Sequence, residues 1–499
     1  VSATEHLEIE LKFDVDPGRP VPDLTRLPGV ETVTGPIEEN LDATYYDTEN
    51  LDLTDHRITL RRREGGHDEG WHLKRPGDAG GRRELHAPLA PPAEGADHDT
   101  TVPSDLLDPV RVHVRARRLD PVAAIGTRRT IHEARDADDR VLALLCADVV
   151  TARSLLPGGS CHTWAEWEFE LVDGDTDLLD EADALLREAG ARTASAASKL
   201  ARAIGATPGH GGAPTVRSTG TALELVVAEL ARHREQLVEF DPRVRADEED
   251  AVHQMRVATR RLRSVLRAFR GVIDGPKVDR LDAELKELAA ILGVVRDAEV
   301  TADRYRELLV DEDASDAVND RLVGEQMRRR ARGQRSAVAA LNSARYFSLL
   351  DALDDLLVRP PAGEDAEVGA KKALRDAVRG SARKVRKAQR KADRMDTDSP
   401  EWVEQMHTVR KRAKRLRYVA ESGSALGTKK YAQTASAAKK IQSALGDSND
   451  AALSRDLIAE VARTVTDPAD AFVLGRLDAR EQAAHDEALR QYARHADDL

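Results

Sequence analysis

Residues 6–13 read HLEIELKF. Leu7, Ile9, Leu11 and Phe13 alternate with Glu8, Glu10 and Lys12. Successive side chains of a strand point to opposite faces, so one face here is apolar and the other carries two carboxylates and an ammonium. Later segments repeat the pattern. In RITLRRREGG (57–66), Thr59, Arg61 and Arg63 alternate with Ile58, Leu60 and Arg62. GWHLKRPG (70–77) brings Lys74, RRELHAPL (82–89) brings Glu84, and GTRRTIH (126–132) brings Arg128 and Arg129. LLCADVV (144–150) sets Asp148 among apolar residues, and WAEWEFEL (164–171) alternates Glu166, Glu168 and Glu170 with Trp167, Phe169 and Leu171.

A single strand of this kind is an ordinary amphipathic strand with its charged face in water. A series of them is a stronger constraint. Trp and Phe do not belong in solvent, so the apolar faces pack outward under helices and the charged faces turn inward. A closed antiparallel barrel with flanking helices and a charged lumen meets both conditions. Such a lumen is costly unless its charges pair or bind something. Converging cations suit a polyanion with phosphate spacing. Carboxylates beside them suit Mg2+ or Mn2+, which take oxygen ligands and bridge phosphates.

The pattern stops partway along the chain. A length of 499 residues implies two or more domains. Residues 1–207 hold the alternating segments; GATPGHGGAPTVRSTG (205–220) reads as a flexible connection, placed at 208–218; and 219–499 is an Ala-, Leu-, Arg-, Glu- and Asp-rich region with helical periodicity. VRPPAGEDAEVG (358–369) interrupts the helical region about midway. No apolar stretch approaches the roughly 20 residues of a membrane span, and no basic-then-apolar leader opens the sequence. The two cysteines, Cys146 and Cys161, have no metal or disulfide spacing and read as free thiols of a cytoplasmic protein. A net charge of −13 excludes a general nucleic-acid coat but not a local basic site.

The helical region carries such sites. In HQMRVATRRLRSVLRAF (253–269), about 100° per residue places His253, Arg256, Arg260, Arg263 and Arg267 on one face. HTVRKRAKRLRYV (407–419) repeats it with His407, Arg410, Lys414 and Arg417. Leu292, Gly293 and Asp297 are matched at nearly the same offset by Leu445, Gly446 and Asp450, so the region is internally duplicated. A third basic run, RGSARKVRKAQRKADR, spans 379–394. Like charges repel unless an anion gathers them, and a groove for polyphosphate accounts for the three runs together. Single-stranded nucleic acid asks for aromatic platforms, and only Phe269 and Tyr418 lie nearby.

These motifs resemble two known families. EIELK is similar to the E-x-E-x-K signature of the CYTH superfamily, the triphosphate tunnel metalloenzymes. YYDTENLDLTDHRITLRRREGG resembles its Y-x-D-T … L-R-x-R block, and ASKLARAIG (197–205) its closing S-K-L helix. The resemblance implies metal-binding carboxylates at Glu8, Glu10, Glu168 and Glu170, with Glu84 and Asp148 as further lumen acids. It implies phosphate-gripping cations at Arg61, Arg63, Lys74 and Lys199. Lys12 is the signature lysine, a phosphate contact or the catalytic base. Arg129 is the later tunnel arginine unless a bulge turns Arg128 inward; Glu166 has no counterpart and falls outside the expected site. The family includes triphosphatases and adenylate cyclases. The helical region resembles the CHAD domain, two pseudo-symmetric four-helix halves with a basic groove for inorganic polyphosphate, although Asn449 stands where the first half has Arg296. The expected function is polyphosphate binding with Mg2+- or Mn2+-dependent hydrolysis of tripolyphosphate or short polyphosphate. The alternatives are a non-catalytic polyphosphate binder and a cyclase-like nucleotide enzyme. No specific nucleic acid and no membrane partner is expected, and the oligomeric state is left open.

Overall fold

The computed structural model describes residues 3–77, 81–89, 101–206, 220–426 and 429–499. The chain divides into two compact units, Val1–Gly211 and Gly212–Leu499. The connection expected at 208–218 lies outside the described residues.

The first unit is an antiparallel sheet with helices. Its strands are β1 (Thr4–Glu8), β2 (Glu10–Val15), β3 (Thr32–Asp47), β4 (Thr59–Glu64), β5 (Gly70–Pro76), β6 (Arg82–Ala87), β7 (Asp120–Arg135), β8 (Val141–Ser154), β9 (Cys161–Leu171) and β10 (Arg192–Thr193). Their order is β1-β6-β5-β4-β3-β7-β8-β9-β2-β10. β1 and β2 are consecutive in sequence, separated only by Ile9, yet β1 pairs with β6 and β2 with β9. One continuous stretch of chain therefore touches strands far apart in the sheet order.

The apolar faces pack as the alternation predicts. Phe13, Leu145, Trp167 and Phe169 are buried against Leu178, Ala182, Leu185 and Leu186 of the helix Asp177–Glu188. Leu60, Trp71 and Leu73 pack with Leu106, Val110 and Val114. Leu7 differs: it is 53% exposed, and the apolar face of the first segment is partly buried at Leu11 and buried from Phe13 onward. Between β4 and β5 the chain turns through Gly65 at φ +80°, where a Cβ would stand 2.3 Å from the Asn40 carbonyl oxygen; only glycine fits.

The Tyr-x-Asp-Thr block has a structural basis. Asp47, at the end of β3, is fully buried. Its carboxylate accepts from the amides of Thr48, Leu53 and Thr54 and from the Thr54 hydroxyl, at 2.7–2.9 Å. It pins the turn that leads into β4. Asp47→Ala strands these donors, and the unfolding free energy is expected to fall by about 3 kcal/mol, measured by urea denaturation.

The second unit is all-helical. Its principal helices are Ala222–Arg245, Ala251–Ala268, Pro276–Leu309 and Glu325–Leu341, then Ala370–Ala392, Pro400–Glu421, Ala432–Ala462 and Pro468–His495. Within each set of four, every helix packs on the next. The first helices of the two sets also touch, as do the second. The irregular segment expected at 358–369 separates the helix Ala344–Val358 from Ala370–Ala392.

Candidate functional site

One cavity of about 330 Å³ in the first unit takes lining residues from each of β1 to β9. It collects Glu8, Lys12, Arg61, Arg63, Lys74, Glu84, Arg129, Glu168 and Glu170 from the alternating strands, and Lys199, which the family resemblance implies; Glu10 and Asp148, expected with them, are not among its lining residues. Part of the wall departs from the expectation of charged inner faces throughout: β3, β7 and β8 contribute Leu41, Ala43, Ile125, Ile131 and Leu144. The Arg128/Arg129 alternative resolves by position. Arg128 is exposed, whereas Arg129 donates to Asp148 at 2.7 and 2.9 Å and to Glu168 at 2.5 Å.

The cations are held by acids. Lys74 Nζ lies 2.6 Å from Glu8 and 3.2 Å from Glu84. Glu84 also meets His72 Nδ1 at 2.8 Å, and it is 3.8 Å from Arg61. Despite burial, Lys74, His6 and His72 hold the Glu84 carboxyl well below the usual carboxylate range. Lys12 Nζ lies 2.8 Å from Glu168 and 3.0 Å from Glu10. Burial works against its ammonium, but Glu168 and Glu10 overcome it and raise the Lys12 pKa. Arg63 pairs with Asp68.

Two groups of acids differ in their neutralisation. Asp148, Glu166 and Glu168 present oxygens all within 4.8 Å of one another. Lys199, the first residue of the helix Lys199–Ile204, puts its Nζ 3.0, 2.5 and 2.8 Å from these three. An ammonium therefore already sits among them. Glu170 faces Glu10 across the β2–β9 register and has no cation partner among the described residues. Burial, then the field of Glu8 and that of Glu10, push its carboxyl up to about 7. Glu10 Oε1 is buried and has Lys12 Nζ 3.0 Å away as its ion partner. The Glu170 carboxyl, beside two further carboxylates and without an ion pair among the described residues, fits a hard divalent cation such as Mg2+ or Mn2+.

Three lining or adjoining groups escaped the sequence reading. Glu166 shares the parity of Glu168 and Glu170 and accepts from Trp164 Nε1 at 2.5 Å. His72 shares the parity of Lys74, and burial with the nearby Arg61 and Arg63 lowers its pKa to about 3. Tyr45 accepts from Arg61 at 3.3 Å. Both cysteines are free; Cys146 lines the cavity, where burial pushes its thiol up to about 12.

In the second unit the two histidine helices, Ala251–Ala268 and Pro400–Glu421, lie against each other. Lys414 faces Arg260, Arg410, Arg256 and Arg417, and burial followed by these fields lowers its pKa to about 7. Burial and Arg256 likewise lower Arg260 to about 10. Among the described residues Arg260, Arg410 and Lys414 have no carboxylate partner. His253 and His407 flank this cluster, and burial with neighbouring arginines or Lys411 lowers both.

The expected faces are not uniformly open. Arg263 and Arg267 both donate to Asp282, at 3.1 and 2.6 Å, while Arg256 holds Asp297 at 2.7 Å and Arg417 holds Glu421 at 2.7 Å. These acids come from other turns or other helices, out of reach of a reading along one face. The third basic run faces solvent beside this cluster: its Arg379, Arg383 and Arg390 are exposed, and the largest fields at Lys414 come from elsewhere. The Leu-Gly motif has a packing basis in both halves. A Cβ on Gly293 would lie 3.8 Å from the Arg256 guanidinium, and one on Gly446 3.2 Å from that of Arg410. In each half, the arginine of the His-x-x-Arg motif lies across the bare backbone of that glycine.

The chain joins a sheet domain whose cavity is lined by charged side chains to a helical domain that carries a basic seam. The chain belongs to the family in which a CYTH domain, here residues 6–204, is followed by a CHAD domain, here 228–459. Curated relatives from two strains of Mycobacterium tuberculosis, both uncharacterized proteins, are 41% identical over 496 residues, covering 95% of this chain and 92% of theirs. Among solved structures, PptA from Streptomyces chartreusis is 18% identical, covering 55% of this chain and 99% of its own, with a TM-score of 0.46. The CHAD domain from the plant Ricinus communis is 24% identical, covering 56% and 90%, with a TM-score of 0.42. No helix among the described residues is long and apolar enough to cross a membrane.

Proposed function

We propose that the first unit is a tunnel barrel closed through the β1–β2 segment, which binds and hydrolyses tripolyphosphate or short polyphosphate with Mg2+ or Mn2+. The second unit then holds inorganic polyphosphate in the groove between its histidine helices. The observation that carries this reading is the one cavity that draws charged side chains from eight strands, β1 to β7 and β9.

Arg61, Arg63, Lys74, Arg129 and Lys199 grip phosphate oxygens. Each now has an acidic or phenolic partner, so the cations are oriented before a ligand arrives. Lys12, with its raised pKa, stays an ammonium and serves as a phosphate contact, not as a base. Glu8, Glu10 and Glu170 hold the metal, with Glu168 beside them; Glu84 and Asp148 orient cations. The ion supplies charge neutralisation on the phosphate oxygens. The apolar wall of Leu41, Ile125, Ile131 and Leu144 keeps water sparse beside the phosphates, which strengthens these contacts.

Product analysis tests the reading. Full-length protein incubated with tripolyphosphate and Mg2+ or Mn2+ is expected to release phosphate, and EDTA is expected to stop it. Cyclic nucleotide as the main product from ATP would replace the hydrolase with a cyclase. Polyphosphate binding without any turnover would leave a binding protein. A second result checks the groove. Gly446→Val, which crowds Arg410, is expected to weaken polyphosphate binding in a filter assay, whereas Gly293→Ala, with more room beneath Arg256, leaves it unchanged.

A further inference from the structure

The helix Ala370–Ala392 has two faces of opposite character. Leu374, Val378, Ala382, Val385, Ala388 and Ala392 are buried in the unit. Arg379, Arg383, Lys387, Arg390 and Lys391 on the other side, and Arg394 just beyond, are exposed. Among the described residues none of these six has a carboxylate partner. Cations three and four residues apart repel along a helix surface, so the face is held together by the core beneath it and not by its own charges.

The matching helix of the first half is built differently. The counterpart helix of the first half, Ala222–Arg245, pairs its arginines: Arg232 with Glu229, Arg234 with Asp354, Arg243 with Glu248 and Arg245 with Asp241. The face therefore has no counterpart on the matching helix of the first half; within it, Arg386 donates to the Leu499 carbonyl at 3.0 Å. It also adjoins the groove. Arg412, on the same helix as Arg410 and Lys414, donates to the Lys384 carbonyl at 2.8 Å and ties the two helices together.

We propose that the outward face of Ala370–Ala392 is a second binding surface for long-chain inorganic polyphosphate, taken up by polymer that runs on from the groove. This rests on the groove reading above. At 1.5 Å per residue the helix is about 34 Å long, and one turn separates successive cations by about 6 Å, a reach a flexible polyanion follows at every second or third phosphate. The helix carries no aromatic residue on which a base could stack, which favours a polymer of phosphate alone.

The test uses full-length protein with Arg383→Gln, Lys387→Gln and Arg390→Gln combined, all exposed positions, with helicity checked by circular dichroism. Affinity for long-chain polyphosphate is expected to fall about tenfold or more, and its salt slope by about 2, since each lost phosphate contact removes about 0.7. Tripolyphosphate binding and turnover are expected to stay unchanged. Unaltered long-chain affinity and slope overturn the proposal. So does loss of duplex DNA binding with polyphosphate binding kept, which would make the ligand a nucleic acid. If Lys414→Gln weakens polyphosphate binding and the triple variant does not, only the second surface falls. If the unmodified protein binds no polyphosphate, the groove reading falls with it.

Discussion

Glu170→Gln is expected to lower phosphate release from tripolyphosphate to about a hundredth of the unmodified rate or less, the loss that follows when a group holding charge against a transferring phosphoryl is removed. The substitution is close to isosteric, and Glu170 has no cation to abandon, so the fold should survive it. What goes is the carboxylate that lies in the fields of Glu8 and Glu10 and has no ion pair of its own among the described residues. Glu5→Gln, on the exposed start of the same strand as Glu8, is the matched control and should keep full activity. The comparison is a malachite-green rate assay across a Mg2+ titration. Equal rates in Glu170→Gln at every metal concentration, or release that survives EDTA, would remove Glu170 from the site.

The second large effect belongs to Lys414. Its pKa is lowered to about 7 by burial and by Arg260, Arg410 and Arg256, so near neutral pH a substantial fraction of these lysines is uncharged. A bound polyanion favours the ammonium and raises that pKa, so binding takes up protons. Affinity for polyphosphate is therefore expected to fall as pH rises above about 7, a change calorimetry in buffers of different ionisation enthalpy resolves as proton uptake. Lys414→Arg, which stays charged, should flatten the pH profile. Lys414→Gln should bind about tenfold more weakly at pH 6 and differ little at pH 9, as expected when one buried charge contact is lost. The unliganded protein behaves in the opposite sense. Because the folded pKa lies below the unfolded 10.5, the unfolded chain binds more protons between about 7 and 10.5, and this residue's contribution to stability rises with pH across that window. Binding without proton uptake, or an unchanged profile in Lys414→Arg, would refute the coupling.

What the sequence showed depended on whether a signal lay within one element. Alternation along single strands placed Glu8, Lys12, Arg61, Lys74 and Glu168 on the cavity side, and Trp167 and Phe169 under a helix. It missed β3 in its full length, because Gly35, Pro36 and three acids in 38–42 hide its period. The choice between Arg128 and Arg129 needed the β7–β8 register, which sets Arg129 opposite Asp148. Glu166 carried the right parity and was passed over for want of a counterpart in the motif; the structure gives it Lys199. In the helical unit, periodicity found both basic faces. It could not show that Asp282 satisfies Arg263 and Arg267 from a neighbouring helix, nor that Arg260 and Lys414 meet without an acid between them.

The strand break at Ile9 has a consequence for biosynthesis. β2 leaves the ribosome about 150 residues ahead of β9, the strand it must join through Glu10 and Glu170. At roughly 5–20 residues per second of translation, that is a wait of about 8–30 s. During it Leu11, Phe13 and Val15 have neither their β-partner nor the Asp177–Glu188 helix to cover them. The domain can thus be completed only once its far end has been made, and a nascent chain stalled before residue 161 holds an adhesive apolar segment that chaperones would recognise. The acids interleaved with that segment, Glu8, Glu10 and Asp14, also act as gatekeepers against aggregation while the segment waits.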